Sequence, residues 1–180
     1  MSISGFEGRY PRIADSAWMH SSAVVIGDVA IGADSSLWPH VVVRGDVHWI
    51  RIGERTNVQD GSILHVTHSG EHAPGGFPLL IGNDVTIGHR AVVHACTVGN
   101  LCLIGMGAVI MDGAIIGNRT MIGAGSVVPG GKKLEGGFLY VGAPAKQVRS
   151  LNAEELLYLE YSAVHYVKLK ERHRLSELSG

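Results

Sequence analysis

Ile-Gly and Val-Gly pairs recur along this chain at a spacing that few folds admit. They stand at Ile26-Gly27, Ile31-Gly32, Ile52-Gly53, Ile81-Gly82, Ile87-Gly88, Val98-Gly99, Ile104-Gly105, Ile116-Gly117 and Ile122-Gly123. From Ile104, steps of six residues land on Ile110, Ile116, Ile122 and Val128. Ile81, Ile87 and Val93 keep the same step, and five residues lead on to Val98. Upstream the count gives Ile31, Leu37 and Val43, then Ile52, Val58 and Leu64, with three extra residues before Ile52 and eleven before Ile81. All fifteen positions are aliphatic, and four residues after them small side chains recur, among them Ser35, Thr56, Ser62, Ala91, Ala108 and Ser126.

An amphipathic helix needs apolar residues at i, i+3, i+4 and i+7, and a sandwich strand alternates with period two. A period of six, with one large and one small position per unit, fits neither. It fits a parallel β-helix, in which each hexapeptide makes one short strand and one turn and three close a triangular coil. The large aliphatics then stack inside the prism. The sequence thus predicts an all-β fold of about five coils over residues 21–145, with residues 1–20 as an irregular lead-in or first edge strand. After Gly142-Ala143-Pro144-Ala145 the composition changes, and residues 152–175 contain neither Gly nor Pro. Asn152 is a good N-cap, Glu154 and Glu155 suit a first turn, and Lys168 to Arg174 lie toward the end. Leu156, Leu159, Ala163, Tyr166 and Val167 recur on one face, so an amphipathic helix is predicted within 150–175, from 152 to 174, packed outside the prism or onto a neighbouring subunit.

Composition closes off other classes. Fifteen Lys and Arg against sixteen Asp and Glu leave a net charge of −1, which is no electrostatic footprint for nucleic acid or an anionic membrane. No apolar run approaches the ~18 residues of a membrane span. The N-terminus has no basic segment followed by an apolar one. Cys96 and Cys102, the only cysteines, form no CxxC pair and read as small core residues in a reducing compartment. A cytoplasmic protein is therefore expected.

The ten histidines are informative through their register. Residues three units apart lie on one face, one coil up, about 4.8 Å away. Counting from Val43, Leu64 and Val93, the next residues are Arg44, His65 and His94, which form one polar column. Counting two past Val58 and Ile87 gives Asp60 and His89, a second column on the preceding face, with Gln59 beside it. Two stacked imidazoles could share a metal, and His89 could join them only from a neighbouring prism. Three-fold assembly would supply it, giving three His per site at each interface. His₃ with an open fourth position is a catalytic zinc arrangement. His20, His40, His165 and His173 have no such register.

Arg44-Gly45-Asp46, Asn57-Val58-Gln59-Asp60-Gly61-Ser62, His65 and Ile87-Gly88-His89 with Val93-His94 resemble the γ-class carbonic anhydrases, over residues 10 to 170. The resemblance implies a left-handed β-helix and a homotrimer. It implies zinc, with iron or cobalt as alternatives, held by His65 and His94 of one subunit and His89 of the next. By the same match Arg44, Asp46 and Asp60 form interface ion pairs, and Gln59 orients the nucleophile that converts CO2 to bicarbonate. The chain departs from the family pattern at proton removal. Val47 stands where a glutamate follows the Asp of Arg-Gly-Asp, and His68 stands at the shuttle glutamate. In the segment from His68 to Pro78 only Glu71 is acidic. His68 or His72 could carry protons, because imidazole titrates near neutrality; the loop could equally be merely solvated. Three readings stay open: a carbonic anhydrase, a hexapeptide acyltransferase or metal-dependent thioester hydrolase, and a non-catalytic metal-binding trimer.

Overall fold

The computed structural model describes residues 2–178 and forms a parallel β-helix followed by one long helix. Three columns of inward side chains build the core. The first runs Ile13, Ile31, Ile52, Ile81, Val98, Ile116, Leu134. The second runs Met19, Leu37, Val58, Ile87, Ile104, Ile122, Tyr140. The third runs Val25, Val43, Leu64, Val93, Ile110, Val128. Each residue pairs in parallel with the one a coil above, and the interior members are buried.

The register reaches further than the hexapeptide count. Six coils are complete and two strands of a seventh follow, against the five expected, because Ile13, Met19 and Val25 already close a coil. The segment read as a lead-in is therefore largely coil, and Ser2–Ser4 pairs in parallel with Val24–Ile31. The six-residue step runs unbroken from Ile31 back through Val25 and Met19 to Ile13, without the glycine pairs that mark the later coils.

Two backbone devices make the coils stack. The residue three past an inward aliphatic turns the corner in the left-handed region: Asp34, His40, Arg55, Asp84, Arg90, Leu101 and Arg119 have φ of 50–59°, and Gly61, Gly107 and Gly113 hold the same place. Side-chain residues accept a modest cost there that glycine avoids. The glycine directly after the aliphatic serves close approach instead. A Cβ on Gly53 would lie 2.3 Å from Asn83 Oδ1. That oxygen accepts the Glu54 amide at 2.8 Å, and Asn100 and Asn118 repeat the contact one coil further on.

Both insertions leave the prism at one corner, between the third and first columns. The three extra residues lengthen a strand, Val42–Ile52, which pairs along Val24–Ile31 with a register shift. The eleven extra residues form an excursion pinched at its base, where Thr67 and Phe77 exchange two backbone hydrogen bonds of 3.0 Å.

The helix spans Ala153–Leu178. Its start is a reciprocal cap: Asn152 Oδ1 accepts the Glu155 amide at 2.8 Å and Glu155 Oε2 accepts the Asn152 amide at 2.9 Å. It lies along the outside of its own prism, burying Leu159, Ser162 and Ala163. Trp38 packs edge-on against Tyr166 and His173, and Trp18 adjoins them. Lys170 is fully buried; its ammonium donates to the Ser16 carbonyl at 2.8 Å and meets Glu171 and Asp34. Among the described residues no helix is long and apolar enough to cross a membrane.

Candidate metal centre

Parallel pairing sets His94 directly over His65 on neighbouring strands. Their rings lie 5.1 Å apart between centroids, and His65 Nδ1 is 3.0 Å from His94 Nε2. Each ring is gripped from the far side by a carboxylate. Asp46 Oδ1 lies 3.0 Å from His65 Nε2, and Asp112 Oδ1 lies 2.6 Å from His94 Nδ1. Asp46 in turn accepts from Arg44 and from the Val47 amide. Asp112 accepts from the Thr67 hydroxyl at 2.5 Å.

Burial works to raise both carboxyls, but the hydrogen bonds outweigh it. Asp46 is held below its ordinary range by Arg44 and His65, and Asp112 by Thr67 and His94. Burial lowers the His65 imidazole, Arg44 and His94 add to that, and Asp46 opposes them. His65 is thus neutral at pH 7, the form that binds metals.

The charged carboxylates only accept hydrogen bonds, so the outer nitrogens carry the protons. Two inner nitrogens then turn lone pairs toward each other at 3.0 Å. Such a pair is repulsive unless a proton or a cation lies between. Neutral imidazoles backed by carboxylates are the donors zinc takes. The residues present fit a metal of that kind.

Within one chain the set is incomplete. Among the described residues no group of three or more His, Cys, Asp or Glu side chains is arranged to hold a metal ion. His89 stands at a different corner, where its Nδ1 lies 2.8 Å from Asp60 Oδ2. Its side chain is 47% exposed, against 18% for His65 and 32% for His94. Gln59 goes with His89, not with the stacked pair. It donates to Asn57 Oδ1 at 3.1 Å, and Asn57 donates to Thr86 Oγ1, which meets Ser162 of the helix at 2.8 Å. Gln59 and His89 line a cavity of about 380 Å³ together with Met106, Met121 and Tyr166. Arg44 and Asp60 pair within the chain, with Asp46 and His89 respectively. His68 is exposed at the start of the excursion.

Comparison with known proteins places the chain in a family. Residues 95–130 match the model for "Bacterial transferase hexapeptide (six repeats)". Protein YrdA of Escherichia coli is 53% identical over 164 residues, covering 91% of this chain and 89% of its own. A protein named carbonic anhydrase from Geobacillus kaustophilus is 42% identical over 166 residues, covering 92% and 87%. The chain belongs to the γ-carbonic anhydrase family. The fold is shared with a solved hexapeptide transferase family protein from Anaplasma phagocytophilum, with a TM-score of 0.86 at 39% identity over 94% of this chain and 96% of that one.

For a γ-carbonic anhydrase family member, the sequence reading missed two groups at the stacked pair. Asp112 lies two past Ile110, which sits directly above Val93; the column count, taken one residue past each aliphatic, lands on Met111 there and steps over Asp112. Thr67 carried no signal, because it lies inside an insertion where counting stops.

Proposed function

We propose that the protein is a zinc-dependent γ-carbonic anhydrase that acts as a homotrimer and interconverts CO2 and bicarbonate. The observation behind this reading is the stacked pair, His65 and His94, whose inner nitrogens converge at 3.0 Å. The relative named carbonic anhydrase supports the activity. Those two histidines and His89 of the next subunit would hold the metal, with iron or cobalt as alternatives. When bound, zinc makes hydroxide available at neutral pH to add to CO2. Asp46 keeps the His65 ring in the required tautomer. Gln59, beside His89, would orient the nucleophile from the neighbouring subunit. Proton removal falls to His68 or His72, since Val47 offers no carboxylate.

The test is metal content of anaerobically purified protein, then stopped-flow CO2 hydration on the same sample. Hydration limited by proton transfer is expected. Added imidazole buffer should raise turnover with little effect on kcat/KM, and His68→Ala should lower turnover in dilute buffer only. Fully metallated protein without activity at any buffer concentration would exclude the enzyme. A second reading, as an acyltransferase or thioester hydrolase, draws on the largely apolar cavity beside His89 and on the transferase name of the solved relative. Thioester turnover by the same sample would favour it.

A further inference from the structure

The metal reading leaves Asp112 without a role, although it makes one of the shortest contacts at the site. Its two oxygens are both committed: Oδ1 to His94 Nδ1 at 2.6 Å and Oδ2 to Thr67 Oγ1 at 2.5 Å. It comes from the coil above His94, two past the buried Ile110, so its backbone is fixed by the stack. Thr67 comes from the base of the excursion, fixed by its two hydrogen bonds with Phe77. The carboxylate therefore joins a stacked coil, a stacked imidazole and the root of the long loop.

We propose that Asp112 is a positioning residue that locks His94 in the tautomer with its proton on Nδ1, and that Thr67 holds Asp112 for this task. The inference rests on the metal-site reading above. A carboxylate offers only acceptors, so His94 Nδ1 must donate, and Nε2 must then present a lone pair to His65 Nδ1. Two neighbours bear on the choice: the His65 Nδ1 lone pair favours a proton on Nε2, and only the carboxylate holds it on Nδ1. An amide of the same shape could rotate and donate to Nδ1, which would place the proton on Nε2 and turn a donor atom into a blocked one. The Thr67 hydroxyl fixes the carboxylate's rotation, so that Oδ1 faces the ring.

The experiment compares Asp112→Asn and Thr67→Val with the unaltered trimer. One readout is the ¹⁵N imidazole shifts of His94 in metal-free protein, which report the tautomer directly. The other is zinc affinity by competition with a chromophoric chelator. Asp112→Asn should move the proton toward Nε2 and weaken zinc binding by about ten- to a hundred-fold, with the melting temperature little changed. Thr67→Val, which keeps the carboxylate, should weaken binding less and leave a mixture of tautomers. An unchanged His94 tautomer in Asp112→Asn overturns the proposal, whether zinc affinity falls or not. So does a shifted tautomer with undiminished affinity. Failure of the unaltered protein to bind zinc would instead strike the metal reading. The tautomer measurement, made without metal, still judges Asp112 by itself, and Thr67→Val serves if Asp112→Asn does not fold.

Discussion

Two corners of one prism carry the candidate chemistry, and they are built differently. The corner past Val58 and Ile87 keeps the six-residue step and bears Gln59, Asp60 and His89 in unbroken register. The corner past Val43, Leu64 and Val93 never keeps it: nine, seventeen and five residues lead to the next inward aliphatic. That corner bears Arg44, Asp46, His65 and His94, with Asp112 one coil above. Stacked coils hold strand ends at fixed separations, so at a regular corner a group meets neighbours one coil above or below, as Asp60 meets His89. The irregular corner escapes this limit. Its extra residues bring in Asp46, which flanks the stacked His65 ring, and Thr67, which holds the Asp112 carboxylate against His94. The regular corner presents one exposed imidazole, which in the proposed trimer would face a neighbour's stacked pair.

The sharpest way to break this comparison is to separate the corners genetically. His65→Ala and His89→Ala should each abolish tight zinc binding, although the two residues lie at different corners. Mixed, unfolded together and reassembled, the two variants should regain a fraction of complete sites, because one subunit then supplies the stacked corner and the other His89. Zinc titration of mixed against unmixed trimers reads this out. If mixing restores nothing, the corners do not belong to one shared site. Full zinc stoichiometry in a verified monomer would be equally damaging.

The corners should differ in chemistry but not in how they hold the fold. Leu64 and Ile104 are both fully buried in the stack, one next to the irregular corner and one next to the regular corner. Truncation to Ala removes similar buried area and leaves a cavity at each, costing about 2–5 kcal/mol. Denaturant unfolding of Leu64→Ala and Ile104→Ala should therefore give similar losses. A loss at Leu64 far below that at Ile104 would show that the irregular corner relaxes around the cavity, and that its geometry is softer than the stack implies.

How far the sequence could be read follows the same division. Counting by six placed His65 over His94 and Asp60 beside His89, because each pair is separated only by whole repeats once the insertions are removed. The count also separated the two columns, which put His89 out of reach within one chain. It failed wherever a contact comes from an insertion or from folding back. The grip of Asp46 on His65 depends on the path of the lengthened strand, and Thr67 on the pinch of the excursion. Gln59 goes with His89, as its place beside the second column implies, and its bond to Asn57, which reaches Ser162 through Thr86, turns it toward the helix. The burial of Lys170 is a tertiary contact that helical periodicity does not contain: only the docked helix brings the Ser16 carbonyl to its ammonium.

The smallest expected effect lies in the helix that covers the regular side, and it tests whether that side owes its order to the helix cap. Arg149 hydrogen-bonds Glu155 through both oxygens, and with the Asn152 amide it holds the carboxyl down to about 2 from an ordinary 4.5. A group whose folded pKa is depressed lends stability that is complete above its unfolded value and lost as pH falls through the folded one. The contribution of Glu155 should thus be constant above about pH 5 and disappear between there and pH 2. The group is exposed, so solvent screening keeps the contribution small. Melting of metal-free protein across this range isolates it, since no metal is then displaced by histidine protonation. Glu155→Gln should melt slightly lower than the parent near pH 6 and converge with it toward pH 2. Parallel curves over the whole window would mean that the ion pair adds nothing, and that the helix is held on the regular side by its buried contacts, from Leu159, Ser162 and Ala163 to Lys170 and the tryptophans.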